Sequence, residues 1–306
     1  MIDSRLTENI RRFADIVVEQ NHVHGPFMKD TLANLSSDEI RHLDAYIDFC
    51  IKKGYDTEYL AKSYRTIVMG TVHEQIYFRK HGRYRHSTFA EVASDVYFNA
   101  EYMSHYMYGL ALTSYFWPNH LAMLNFFKKT LPQNSSGRYL EVGPGHGYYL
   151  MTAMLQSRYG AFLGVDISET SVAMTKDLIN HFMAGQTIPF ELRCLDFLAA
   201  TDLQPKSFDA VVMGEVLEHV EQPQLFLRRI RDIAKDDAYI YITTCVNAPE
   251  IDHIYLFKSP EEVMRLFASC GLGVREQLIC PYAGKTLQES IDRQLAVNMA
   301  YVIKKI

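Results

Sequence analysis

The sequence predicts a doubly wound α/β domain built on a seven-stranded, mainly parallel sheet, preceded by an all-helical N-terminal domain. Three features predict it. From residue 138 onward, apolar runs of strand length alternate with stretches of helix length, which is the pattern of crossover units. The first of these runs, Tyr139-Leu-Glu-Val-Gly-Pro-Gly-His-Gly147, enters three closely spaced glycines, and the next, Ala161-Phe-Leu-Gly-Val-Asp-Ile167, ends in an acid. Before residue 131, apolar residues recur at helical spacing, as at Ile40, Leu43, Ile47 and Ile51.

Within residues 1–130, Met1-Ile-Asp-Ser-Arg-Leu-Thr-Glu-Asn-Ile10 reads as the start of an amphipathic helix and not as a charged leader with an apolar core. Ser36-Ser37-Asp38-Glu39 and Thr88-Phe-Ala-Glu91 fit the capping box that opens a helix. Residues 97–127 are dense in aromatics and Met, among them Tyr102, Met103, Tyr106, Met107 and Trp117. Such a stretch reads first as core, because helices apolar all round are buried; a lid over a binding site or a homodimer face are its other readings. Pro118 suits the first turn of a helix beginning near Trp117. Leu131-Pro-Gln-Asn-Ser-Ser-Gly137 is polar and turn-forming and divides the chain into domains of residues 1–130 and 131–306. Strands are expected at 138–142, 161–166, 188–195, 208–213, 238–243, 273–280 and 297–304. Helices are expected at 148–156, 169–183, 224–234 and 260–269, with residues 281–295 as a helical cap.

Composition narrows the function classes. Lys and Arg number 31 against 36 Asp and Glu, and the excess acid falls after residue 130. That balance argues against a large nucleic-acid footprint, which needs a basic face. The basic cluster Arg79-Lys-His-Gly-Arg-Tyr-Arg-His86 reads as a solvated turn between helices, with substrate phosphate, carboxylate or RNA as alternative partners. The five cysteines, Cys50, Cys194, Cys245, Cys270 and Cys280, form no Cys-x-x-Cys pair, so they read as buried free thiols in a reducing cytosol. No run reaches the roughly 20 apolar residues of a membrane span. The expected location is cytoplasmic.

The glycine turn carries the chemistry. A strand, a glycine turn, a helix, a second strand and a terminal acid describe a pocket for a ribose-bearing cofactor. A dinucleotide fingerprint requires Gly-x-Gly-x-x-Gly, whereas here Gly143, Gly145 and Gly147 are followed by Tyr148. Glu141, two residues before the first glycine, suits a cationic ligand better than an anionic one. The arrangement resembles motif I of the class I S-adenosylmethionine-dependent methyltransferases, whose Glu/Asp-x-Gly-x-Gly-x-Gly pattern Glu141 to Gly147 matches at every fixed position. The resemblance covers roughly residues 131–306, does not reach the helical domain, and implies a Rossmann-like methyltransferase sheet with S-adenosyl-L-methionine as cofactor.

It also implies roles by position. Asp166, with Ile167 after it, would accept the ribose hydroxyls, leaving Ser168 to cap the following helix. Asp196 would accept from the adenine amino group while Phe197 covers the ring. Gly214 and Glu215 would flank the methionine portion. Glu141 would steady either the cofactor's amino group or the glycine turn itself. Met213-Gly-Glu-Val-Leu-Glu-His-Val220 resembles the segment after the fourth strand in the ubiquinone and menaquinone methyltransferases. Its His219 is either a base for the acceptor or a hydrogen-bonded structural ring. The loop after the fifth strand offers Asn247, Glu250, His253 and Tyr255 to an acceptor, with His253 as a second possible base. The Asn/Asp-Pro-Pro-Tyr/Phe signature of many base and glutamine methyltransferases is absent, which favours a small organic acceptor, as in specialised metabolism. Transfer to oxygen or nitrogen leads, with carbon close behind. A tRNA or protein methyltransferase and a catalytically silent cofactor-binding scaffold are the rival readings. No local His-x-x-x-His pair occurs, so no metal is expected.

Overall fold

The computed structural model describes residues 5–306, so the first four residues of the expected N-terminal helix start lie outside the described residues. The chain opens with α1 (Glu8–Gln20), α2 (Gly25–Asn34), α3 (Ser37–Lys52), α4 (Thr57–His81), α5 (Phe89–Val92), α6 (Ala100–Phe116) and α7 (Pro118–Thr130). The Ser36 capping box forms: the Glu39 amide donates to Ser36 Oγ at 3.3 Å, and the Ser36 amide to Glu39 Oε2 at 2.7 Å. Glu91 likewise accepts the Thr88 amide at 3.0 Å, but α5 lasts one turn before a π-turn at Ala93–Tyr97. Twelve of the 17 residues of α6 are buried, as expected of a helix without a polar face.

The sheet contains β1 (Arg138–Val142), β2 (Ala161–Asp166), β3 (Phe190–Cys194), β4 (Phe208–Gly214), β5 (Ala234–Val246), β6 (Leu272–Cys280) and β7 (Val297–Lys305), in the order β3-β2-β1-β4-β5-β7-β6. The first five are parallel, and β7 runs antiparallel to both β5 and β6. Between them lie α8 (Tyr148–Gln156), α9 (Glu169–Phe182), α10 (Pro223–Ile233), α11 (Pro260–Ser269) and α12 (Leu287–Asp292). Strand order reverses between β1 and β4, so the crevice beyond their carboxyl ends is where such a sheet takes a ligand. β5 begins at Ala234, before the expected 238, because Lys235, Asp236 and Asp237 conceal an edge that still pairs Ala234 with Phe208 across a register shift. Helix α7 is a layer of the sheet: Phe127 packs on Tyr239 and Tyr241, and Tyr241 Oη donates to the Met123 carbonyl at 2.8 Å. The helical core is continuous with the helices that flank the sheet through Tyr148 of α8 and Leu178 of α9. Cys50, Cys245 and Cys270 are buried free thiols as expected, but Cys194 at the sheet edge is exposed and Cys280 half-buried.

Helices α4 and α6 approach closely at Gly109, where an added Cβ would fall on the Ser63 carbonyl and 2.6 Å from Ile67 Cγ1. Gly70 on α4 has open space around the same position. Gly109→Ala is therefore expected to cost about 1–3 kcal/mol through overpacking. Gly70→Ala is expected to be neutral or to gain up to about 1 kcal/mol from helix propensity. Thermal melts of the two variants check this; equal shifts would mean that the helix pair relaxes freely.

Candidate active site

The turn after β1 takes φ values of +68°, +54° and +83° at Gly143, Gly145 and Gly147, a region that side-chain-bearing residues rarely adopt. Close approach adds a second constraint at Gly143, whose Cβ would lie 2.7 Å from Val216 Cγ2. Asp166 fixes the turn from β2: its Oδ2 accepts the Gly145 amide at 3.0 Å and its Oδ1 the Ser168 amide at 2.9 Å. Ser168 Oγ meanwhile accepts the Ser171 amide at 3.3 Å and caps α9. Burial pushes the Asp166 pKa up, and these amide bonds oppose it.

A cavity of about 1070 Å³ opens from this turn toward the ends of β4 and β5. Gly143, Gly145, Asp166, Ile167, Asp196, Phe197, Gly214, Glu215, His219 and His253 all line it. Exposed Asp196 caps a short turn by accepting the Leu198 amide at 2.9 Å, and buried Phe197 packs on Phe226 with centroids 5.7 Å apart. Glu141 and Gly147 lie behind the wall and do not line it. The Glu141 carboxyl accepts Tyr139 Oη at 2.7 Å within β1, away from the cavity. At the fourth strand's end, Glu215 adopts φ +49° and its amide donates to Thr243 Oγ1 at 2.9 Å; strain of this kind clusters at functional sites.

The far end of the cavity holds a polar cluster. His219 Nδ1 lies 3.1 Å from the Asp252 carbonyl, 3.0 Å from Tyr97 Oη and 3.3 Å from Asp252 Oδ2. The Asp252 carboxylate accepts Tyr97 Oη and Tyr106 Oη, each at 3.0 Å. Burial pushes its pKa up, but His219, His253 and the two hydroxyls outweigh burial and leave it below the ordinary carboxyl value. His253 Nδ1 sits 2.5 Å from the Ala248 carbonyl, and burial pushes the ring's pKa down to about 3, so it is neutral. Glu218 is fully buried, accepts Thr244 Oγ1 at 2.8 Å, and belongs with Glu215 to a carboxyl pair whose pKa values burial raises.

The expected loop residues divide. Glu250 lines the cavity and accepts Thr71 Oγ1 at 2.5 Å, whereas Tyr255 turns to the sheet core against Phe257. Tyr84 of the basic cluster is buried, its hydroxyl accepting the Ala248 amide at 3.2 Å, so it is not free to stack on a base. Arg85 pairs with Glu74 at 2.9 Å. Sequence reasoning set Tyr97 and Tyr106 in an aromatic stretch read first as core, with a lid as an alternative, and missed their bonds to Asp252; it missed Asp252 itself, and also His120 and His146, which line the cavity with pKa values lowered by burial to about 4. It also missed that Glu218, His219 and His253 converge, since their spacing matches no local ligand pattern; the Glu215-x-x-Glu218-His219 run was the available signal.

Burial lifts Glu141 and Glu250 from 4.5 to about 8. The unfolded chain then releases protons between pH 4.5 and 8 that the folded chain keeps. Each group's stability contribution is complete below pH 4.5 and is lost as pH rises to about 8. Glu141→Gln and Glu250→Gln are each expected to flatten the decline in stability by up to about 1.4 kcal/mol per pH unit. Urea denaturation at pH 5, 6.5 and 8 reads the slope, and an unaltered slope would mean that the carboxyl ionises normally.

A family model described as a methyltransferase domain matches residues 118–293, more than half of the chain. The ubiquinone biosynthesis O-methyltransferase of Neisseria meningitidis serogroup C is 26% identical over 129 residues, 42% of this chain and 52% of that protein. Its counterpart in Leptothrix cholodnii is 23% identical over 202 residues, 60% of this chain and 83% of that one. The chain thus spans about half the length of the Neisseria relative. Among solved structures, mitomycin 7-O-methyltransferase matches with a TM-score of 0.55 at 12% identity, over 82% of this chain and 70% of that one. Phosphoethanolamine N-methyltransferase 2 of Haemonchus contortus, solved with S-adenosyl-L-methionine, matches at 0.52 and 14% identity, over 71% and 60%. At such identity the solved structures establish the fold, a seven-stranded methyltransferase sheet.

Proposed function

The chain belongs to the methyltransferase-domain family, and we propose that it transfers a methyl group from S-adenosyl-L-methionine to an oxygen of a small, largely apolar acceptor. The observation that carries this reading is one continuous cavity, with the glycine turn at one end and the His219–Asp252 cluster at the other. The residues fit the cofactor. Gly143 and Gly145 leave a cradle without Cβ atoms, the Asp166 carboxylate reaches the wall, and Leu195, Phe197, Leu198 and Phe226 offer an apolar slot beside Asp196. When bound, the cofactor supplies a methyl group on a cationic sulfur, an electrophile needing no further activation.

The protein's own work is alignment and handling of the acceptor proton. Met103, Met107, Leu110 and Trp117 of the helical segment give the cavity an apolar wall against which an acceptor would be held. Fixing the approach of two reactants lowers the barrier without any covalent step. Activation of the acceptor hydroxyl falls to His219 and the groups around it, with Asp252 holding the ring. The small-molecule acceptor reading rests on the largely apolar lining of the cavity. The oxygen preference rests on the ubiquinone O-methyltransferase relatives.

Two tests follow. Asp166→Ala is expected to weaken S-adenosylhomocysteine binding by about 1–3 kcal/mol, since it strands the turn's amides as well as the ribose hydroxyls; unchanged affinity in calorimetry would remove Asp166 from the site. His219→Ala is expected to lower kcat by about 10²–10⁴-fold with cofactor affinity retained. Turnover near that of the unsubstituted chain would leave alignment alone as the source of rate.

A further inference from the structure

We propose that Gln75 and Glu250 form a recognition pair for a carbonyl oxygen of the acceptor, separate from the hydroxyl that receives the methyl group, and that the acceptor is uncharged. This deepens the methyl-transfer reading and rests on it for the hydroxyl. Ile67, Val68, Thr71, Val72 and Gln75 form one stripe of α4 along the cavity, at the spacing of successive helical turns. Thr71 and Gln75 are its polar members. Thr71 Oγ1 donates to Glu250 Oε1 at 2.5 Å, so the stripe meets the loop after β5 there, and Gln75 stands one turn further along the same face.

The Gln75 side-chain nitrogen is buried and has no hydrogen-bond partner. An unpaired donor so placed is costly, and in a stripe that lines a cavity its partner is a group that arrives from the cavity. Thr71 occupies only Oε1 of Glu250. Burial lifts the Glu250 pKa to about 8, so at neutral pH the group is largely the acid, and its second oxygen offers an O–H. An amide N–H and an acid O–H together suit an oxygen that accepts twice and brings no proton of its own, as a carbonyl does. The His253 amide donates to the Glu250 backbone carbonyl at 3.3 Å, and Asp252 lies between the two in sequence, so the pair stands beside the cluster that handles the hydroxyl.

The charge of the lining decides between a carbonyl and a carboxylate. Asp166, Asp196, Glu215, Glu221, Glu250 and Asp252 line the cavity, and among the described residues no Lys or Arg does. Arg85 of the basic cluster is committed to Glu74 at 2.9 Å, with its guanidinium 4.3 Å from the centre of the Tyr77 ring. Burial keeps His120, His146 and His253 neutral, and Asp252 engages His219. A carboxylate or phosphate on the acceptor would therefore leave water without a counter-charge, close to an ionised Asp252. A neutral carbonyl meets no such penalty.

The test is calorimetric titration of the full chain, saturated with S-adenosylhomocysteine, with phenol, hydroxyacetophenone and hydroxybenzoate. These share a hydroxyl and carry no second group, a neutral carbonyl and a carboxylate respectively. Hydroxyacetophenone is expected to bind about tenfold more tightly than phenol, the ratio that one buried hydrogen bond supplies, and hydroxybenzoate no more tightly than phenol. Gln75→Leu and Glu250→Leu should each bring the ketone down to the level of phenol, whereas Glu250→Gln, which keeps a donor, should retain the preference. Gln75→Leu removes an unpaired donor, so without ligand it should melt no lower than the unsubstituted chain; a lower melting temperature means that the amide has a partner within the fold and overturns the pair. Equal affinity for phenol and the ketone, tighter binding of the carboxylate, no binding of any of the three, or a ketone preference that survives in Gln75→Leu also overturns it. A chain that does not bind S-adenosylhomocysteine overturns the methyl-transfer reading instead.

Discussion

The Asp252 carboxylate is 1% exposed, and the arrangement of the cavity depends on how its charge is satisfied. An ionised carboxyl withdrawn from water costs several kcal/mol unless hydrogen bonds and a partner charge replace the lost solvent. Here the replacement comes from three parts of the chain. Tyr97 arrives from the turn before α6, Tyr106 from α6 itself, and His219 from the turn after β4. Removing any one leaves the others around an under-satisfied charge. The helical segment is thereby tied to the loops after β4 and β5 by polar bonds as well as by apolar packing, and the two sides of the cavity cannot shift independently at that point.

The opposite end is held together differently. Asp166 and the glycine turn belong to one strand–helix–strand unit, and the bonds from the Gly145 and Ser168 amides to Asp166 are local to it. The turn's backbone angles come from residues without a Cβ, and its anchor comes from the adjacent strand. The glycine-turn end of the cavity is thus built mainly by the sheet and the helices that follow its strands, while the His219–Asp252 end depends on the docked helical segment. A family in which acceptors vary and the cofactor does not is expected to divide its structure in this way.

That division also explains how much was legible in the sequence. Gly143, Gly145, Gly147 and Asp166 were readable because a turn and a strand end leave local signatures, and the alternation after residue 138 disclosed the sheet. β5 was read four residues short at its start, where charged residues occupy the paired edge, and three short at its end. Asp252, Tyr97 and Tyr106 carry no local pattern: one lies in an irregular loop, one in a π-turn, and one on a helix without a polar face. Spacing rules for metal ligands look along one helix or loop. The convergence of Glu218 and His219 with His253 is made by neighbouring strands, since Glu218 follows β4 and His253 follows β5, which pair in parallel. Glu141 was left open between the cofactor's amino group and the glycine turn itself, and a strand position could not decide: its carboxyl is spent on Tyr139 behind the cavity wall, which fits the second reading.

Transfer of a methyl group from a sulfonium dissipates positive charge, so ionised carboxylates close to such a centre stabilise the reactants more than the transition state. Burial raises the pKa values of Glu215 and Glu218 and so favours their neutral forms, which weakens any field of that wrong sign. Thr244 Oγ1 donates to the Glu218 carboxyl at 2.8 Å, and the positive φ of Glu215 turns its amide toward Thr243 Oγ1. The ends of β4 and β5 are thereby tied together by groups that need not carry charge.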